Sequence, residues 1–397
     1  MTKPYNIIIF FILTALVMSV IFYVFSRENE IIIFFNSELP MGAEVGLEVG
    51  AESEIKEPVY SLPEIRQPQI IKAIYVTSWS ASTENYINYV IDIVKNTEIN
   101  GVVIDLKDWS GFVAYNTAVP EAEKYGAKSI RIRNIKDLIQ RLHEEGIYLI
   151  ARITVFQDPI LAGARPDLAI HSESDPDSLW FDKSGLAWID PAAKESWDYN
   201  IAIAKEAASL GFDEINFDYI RFPSDGNLRD MSFPLWDENV PRHLVMREFF
   251  EYMRQELPDV NLSIDLFGLS TVNLDDMGIG QVIEDAFEYF DYVCPMVYPS
   301  HYAPGFLGYQ NPADYPYEVI KYSIDRGLER LVALDPAEER SVRLRPWLQD
   351  FNLGAVYDEK MVKAEIQAVY DATKDDFSGF MLWNSSNVYT GEALESK

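Results

Sequence analysis

Three carboxylates stand inside short apolar runs, where an ionised side chain is costly unless something pairs with it or uses it. Asp218 lies in "GFDEINFDYIRFP" (211–223), Asp265 in "LSIDLFG" (262–268) and Asp105 in "GVVIDLKD" (101–108). Side chains alternate along a strand, so Asn216 and Asp218 share a face. Asp265 falls at a similar height on the next strand, and Asp105 two strands away on the other side. Carboxylates converging in this way suit cleavage of a glycosidic bond, in which one group holds a proton while the other is ionised. Asp218 is the candidate nucleophile or base and Asp265 the acid or its partner. Asp105, with Arg221, would tune charge and orientation, or serve as a hydrogen-bonding rim residue. The alternative for Asp218 is a structural ion pair with Arg221 or Lys107.

Other polar and aromatic residues gather at the same strand ends. Trp79, Lys107, Asp108, Arg152, Asn216, Arg221, Tyr298, His301, Trp383 and Asn384 are the candidate substrate-binding residues, with Gln157 and Trp347 nearby. Pyranose rings present apolar C–H faces that indoles match, and Trp79 and Trp383, on the first and last strands, are expected to form a platform. Trp197, within a helix, reads as core.

Positioning these residues requires a repeating scaffold. Near-continuous apolar strands are expected at 71–79, 101–108, 148–156, 214–222, 262–268, 291–298, about 343–349 and 379–384. Between them run helical periods, such as Ile135, Leu138, Ile139 and Leu142, and stretches at 241–257, 279–290, 314–329 and 358–374. Asp190-Pro191 reads as the start of a further helix that Gly211 ends. Eight such alternations predict an α/β fold with a parallel sheet closed into a (β/α)8 TIM barrel, whose chemistry lies at the C-terminal ends of the strands. An open doubly wound sheet usually has a glycine-rich first turn, whereas here the first strand ends in "TSWSAST". The segment 157–189 is long for an idle loop; "FDKSGLA", bracketed by Trp180 and Trp188, reads as a small hairpin forming a subsite wall, with 223–240 as the facing wall.

The domain is expected to span 70–397. Residues 28–69 are rich in Glu and Pro and read as a disordered acidic linker. In 1–27, the uncharged run Ile7 to Phe25 would span roughly 28 Å as a helix, close to a bilayer core. It reads as a single-pass anchor with a cytoplasmic N-terminus and the domain outside, or as a cleaved signal that leaves the domain secreted. A net charge of −30 disfavours nucleic acid, while neutral sugars remain compatible. One cysteine, Cys294, excludes an intrachain disulfide. His143, His171, His243 and His301 show no metal-ligand spacing, so neither a metal nor a cofactor is expected.

The runs "IYVTSW", "GVVIDLKD", "ARITVFQDP", "FDEINFDYIRFP" and "PMVYPSHY" resemble the glycoside hydrolase domain family formerly designated domain of unknown function 4015, over about residues 72 to 390. "FDEINFDYIRFP" is the most specific piece. The resemblance implies a TIM barrel and glycosidase activity. A more distant likeness is to family-18 chitinases, through Met296, Tyr298 and Trp383 and through a fourth strand running Asp213, Asn216, Asp218 and Ile220. Chitinases carry their acid glutamate where this chain has Ile220. Isoleucine cannot donate a proton, so a second carboxylate would have to come from another strand, and Asp265 is the nearest. The leading expectation is a glycoside hydrolase or transglycosidase acting on an extracellular or cell-wall polysaccharide. The alternative is a non-catalytic glycan-binding barrel tethered to the cell surface.

Overall fold

The computed structural model describes residues 70–334 and 341–397. The anchor or signal segment and the acidic linker lie outside the described residues. Among the described residues, no helix is long and apolar enough to cross a membrane.

Eight parallel staves close into a TIM barrel. They are β1 (Ile71–Val76), β2 (Gly101–Lys107), β3 (Tyr148–Thr154), β4 (Glu214–Asp218), β5 (Asn261–Phe267), β6 (Tyr292–Met296), β7 (Arg343–Leu344 continued by Trp347–Gln349) and β8 (Gly379–Trp383). The ring closes where β1 pairs with both β2 and β8. Among the described residues the longer helices that cover it are α1 (Glu84–Asn96), α2 (Ile135–Glu144), α3 (Lys194–Leu210), α4 (Arg242–Glu256), α5 (Ile283–Tyr289), α6 (Pro316–Leu334) and α7 (Glu359–Thr373). Among the described residues, β8 is followed by one 3-10 turn, Gly391–Ala393. The tail then straps onto the end of α1, with Ser396 bridging Thr97 and Glu98 N donating to Glu395 O at 2.8 Å.

Strand alternation divides the interior in two. Ile71, Ala73, Tyr75, Val103, Ile150, Tyr292, Cys294, Trp347 and Met381 pack inside the barrel. The opposite parity, such as Ile74, Val102, Leu149, Ile215 and Leu262, packs under the helices. Burial on both faces explains why the strands lack a polar–apolar alternation.

Several boundaries differ from expectation, each for a local reason. β1 stops at Val76 because Thr77 caps a one-turn helix, Ser78–Ala81, by accepting from Ser80 N. β4 stops at Asp218 because Tyr219 adopts φ 54°, a left-handed turn. α3 starts at Lys194, not at Asp190; the Asp190 carboxylate instead accepts from Ala192 N, Leu235 N and Trp236 N. It therefore pins the β4 loop rather than capping a helix. The expected hairpin forms, with Phe181 bridging Ala187. The two expected walls do not stand apart. His171–Ser172 pairs antiparallel with Met231–Ser232, joining the β3 and β4 loops into one structure.

Candidate active site

Arg152 on β3 organises the barrel mouth. It faces Asn216 on one neighbouring strand and Asp105 on the other. Its Nη1 donates to Asp105 at 2.7 Å, its Nη2 pairs with Asp218, and its Nε lies 3.8 Å from Asp265. Burial works against the guanidinium charge, but Asp218 and Asp105, with Tyr75 and Asp265, outweigh it and hold the pKa well above the usual arginine value. The expected partners of Asp218, Arg221 or Lys107, are thus replaced by Arg152. The structure brings the three sequence-nominated carboxylates together around one cation.

The three carboxylates occupy unequal surroundings. Asp218 Oδ1 accepts from Tyr219 N, which the left-handed turn points back at the strand end. Asp105 accepts from Tyr75 Oη at 2.5 Å; its pKa is raised, chiefly by burial, against the pull of Arg152. Asp265 is 1% exposed. Its Oδ1 accepts from Asn216 Nδ2 at 2.9 Å and Trp347 Nε1 at 2.7 Å. Burial, then the charge of Asp218, push its pKa well above the ordinary carboxylate range. The acid that crowds it stands on the adjoining strand, and neighbouring strands lie about 4.8 Å apart.

Trp383 closes one side. It stacks on Tyr75 with centroids 4.0 Å apart, meets Trp347 edge-on at 5.6 Å, and lies 5.2 Å from the Arg152 guanidinium carbon. Tyr298 is buried beside Phe351 and His301. Burial and then Asp265 keep its phenol protonated, and its hydroxyl has no hydrogen-bond partner among the described residues. Burial lowers the His301 pKa to about 4, so the ring is neutral at pH 7; its Nδ1 lies 3.0 Å from Ser300 Oγ.

Four expected binding residues sit elsewhere. Lys107 is buried on the outer side of the barrel, paired with Asp158 at 2.7 Å and donating to Thr154 O at 2.7 Å. A register shift between Asp105 and Lys107 turns it away from the mouth. Asp108 is tied to Arg131 and Ser110. Asn384 braces its own loop, donating to the Asp350 and Val388 carbonyls. Trp79 lies on the one-turn helix, 64% exposed, with Arg131 4.8 Å over its ring. The ring that stacks on Trp383 is Tyr75, which the sequence reading missed; its alternation with Ile71 and Ala73 was the available signal. The reading also missed a buried Glu214–Arg345 pair below the site. No cluster of metal-ligating side chains occurs among the described residues.

A closed parallel barrel with acidic groups gathered at the C-terminal ends of its strands places the chain among the TIM-barrel proteins. Residues 73–389 match the family described as "Putative glycosyl hydrolase domain", and the chain belongs to that family. A hypothetical protein from Ruminiclostridium thermocellum ATCC 27405 is 36% identical over 52% of this chain and 98% of its own, with TM-score 0.45. The α-galactosidase TtGalA from Thermus thermophilus is 13% identical over 83% of this chain and 61% of its own, with TM-score 0.51. A chitobiase from Flavobacterium johnsoniae is 12% identical over 82% and 47%, with TM-score 0.50. These last two likenesses concern the fold. The comparison with curated proteins found no match.

Proposed function

We propose that this protein is a glycoside hydrolase or transglycosidase acting on an extracellular or cell-wall polysaccharide. The observation that carries the reading is the pair on β4 and β5: Asp218 paired with Arg152, and Asp265 buried beside it, where burial and the charge of Asp218 favour its protonated form. Asp218 acts as nucleophile or base and Asp265 supplies the proton. Asp105 and Arg152 fix the charge and orientation of the pair, and the Tyr75–Trp383 stack offers an apolar face to a sugar ring. Family membership supports a carbohydrate substrate. The uncharged run at residues 7–25 supports a domain outside the membrane, anchored or released. Protease shaving of intact cells would test that location.

The test of activity is to incubate the full chain with cell-wall and capsule polysaccharides and measure new reducing ends. Asp218→Asn should abolish them while the circular dichroism spectrum stays unchanged; full activity in that variant would remove the assignment. The burial of Asp218 against Arg152 favours one other reading, a barrel that binds glycan without cutting it. Retained binding with no product from any polysaccharide would select that reading.

A further inference from the structure

Four arginines are buried among the described residues: Arg152, Arg221, Arg330 and Arg345. Three face a carboxylate: Arg152 the site acids, Arg330 Glu284 and Arg345 Glu214. Arg221 is 5% exposed and makes no ion pair among the described residues. Its single hydrogen bond runs from Nη1 to the Phe222 carbonyl at 3.1 Å. The guanidinium has five N–H donors, and its remaining nitrogens are not sealed away from solvent. A buried cation without a counter-ion is expensive, and breaking an existing buried pair costs several kcal/mol for the same reason. Three rings hold it in place: Phe267 at 4.7 Å, Trp188 at 4.8 Å and Tyr219 at 5.4 Å from its carbon. These rings come from the end of β5, the β3 loop and the turn after β4, so the group sits at the mouth beside Asp218.

Among the described residues, none of the nearby carboxylates forms an ion pair with Arg221. Asp218 pairs with Arg152. Asp182 accepts from Trp188 Nε1, Ser184 N and Leu186 N. Asp225 accepts from Lys183 N at 3.3 Å. Burial depresses the Arg221 pKa, and Tyr219, Asp218, Asp225 and Asp182 offset this only in part.

Resting on the glycoside hydrolase reading, we infer that Arg221 is a subsite for a carboxylate carried by the glycan, so that the substrate class is a uronic-acid-containing polysaccharide. A planar guanidinium clamped between rings presents a fork that a carboxylate fits with two parallel hydrogen bonds. The ligand supplies the counter-ion that the fold leaves out. The chain's net charge of −30 repels polyanions at long range. At about 0.15 M salt the Debye length is about 8 Å, so contacts within the mouth decide affinity.

The test measures binding and cleavage by the full chain at fixed ionic strength. The probes are polygalacturonate, alginate and hyaluronate, the methyl-esterified form of each, a sulfated neutral glycan, and dextran. The expected result is binding to a carboxylated polymer that weakens about tenfold or more on esterification, the scale of one charge-assisted hydrogen bond. Arg221→Met should bind acidic and esterified polymers alike and melt no lower than wild type, since it removes an unpaired cation and keeps apolar contact with the rings. A lowered melting temperature with the acid preference intact would make Arg221 a packing residue and overturn the inference. Binding to no carboxylated polymer, or only to the sulfated one, would overturn it too. Binding of the acidic polymer without new reducing ends keeps the subsite and removes the hydrolase. Cleavage of dextran alone, unchanged in Arg221→Met, keeps the hydrolase and removes the subsite.

Discussion

Asp265 is pushed toward its protonated form because it is the most deeply placed of the three site acids and adjoins Asp218. Its folded pKa lies above the unfolded value of about 3.9, so the folded chain binds a proton that the unfolded chain releases. The stability tied to this group is therefore fully present below about pH 3.9 and is lost as pH rises toward the folded value. Asp265→Asn should remove that share of the slope: chemical denaturation of the variant should lose less stability between pH 4 and 8 than wild type. The same variant should lose cleavage, having no acidic proton. An unchanged slope would mean that Asp265 is ionised in the fold. Burial also raises the pKa of Asp105 and Glu365, so the difference between the two proteins, not the wild-type slope alone, is diagnostic. At this scale the sequence was informative where parity held. Asn216, Asp218 and Asp265 could be placed by alternation on neighbouring strands. Tyr75 had the same signal but lay in a run that read as ordinary core. Arg152 was named as a binder, yet nothing in the one-dimensional pattern shows that it draws three carboxylates from three strands.

Lys107 shows how an element can overrule a residue. The register between β2 and β3 advances by two on one strand and one on the other between Asp105 and Lys107, which sends Lys107 to the helix side. A bulge leaves no mark in composition, so alternation carried past it puts the side chain on the wrong face. There it pairs with Asp158, which also caps the short helix Pro159–Ala164 by accepting from Leu161 N. Lys107→Met should strand a buried carboxylate and cost about 3–5 kcal/mol. Adding Asp158→Asn, which keeps a capping oxygen, should recover part of that loss. Thermal melts of the two variants check this, and a single variant as stable as wild type would remove the pair's structural role. Strand ends were the least legible feature for a related reason: Thr77 and Tyr219 stop β1 and β4 through a cap and a left-handed turn inside runs that stay apolar.

Barrel closure depends on two small features of the whole molecule. Gly379 opens β8 at φ 104°, and a Cβ there would sit 1.8 Å from the Ile71 carbonyl oxygen, part of the backbone of the strand that completes the ring. Gly379→Ala should therefore destabilise the domain by at least about 3 kcal/mol, through backbone strain and parted strands. A melting temperature within error of wild type would contradict this. The C-terminal residues bond to the end of α1. Deleting residues 395–397 removes their bonds to Asn96 and Glu98 and should lower the melting temperature without altering the site. The eightfold alternation was legible because both faces of every strand are buried. The 3-10 turn that follows β8 was not, since the segment after Trp383 is polar and carries no helical period.

Below the acids, Arg345 and Glu214 lock together across the lumen with neither side chain exposed, and Arg345 lies 4.0 Å from the centre of the Tyr292 ring. The barrel is thus a cup with a stopper and not a pipe. A long chain cannot be threaded through it, and whatever enters at the top must withdraw by the same opening.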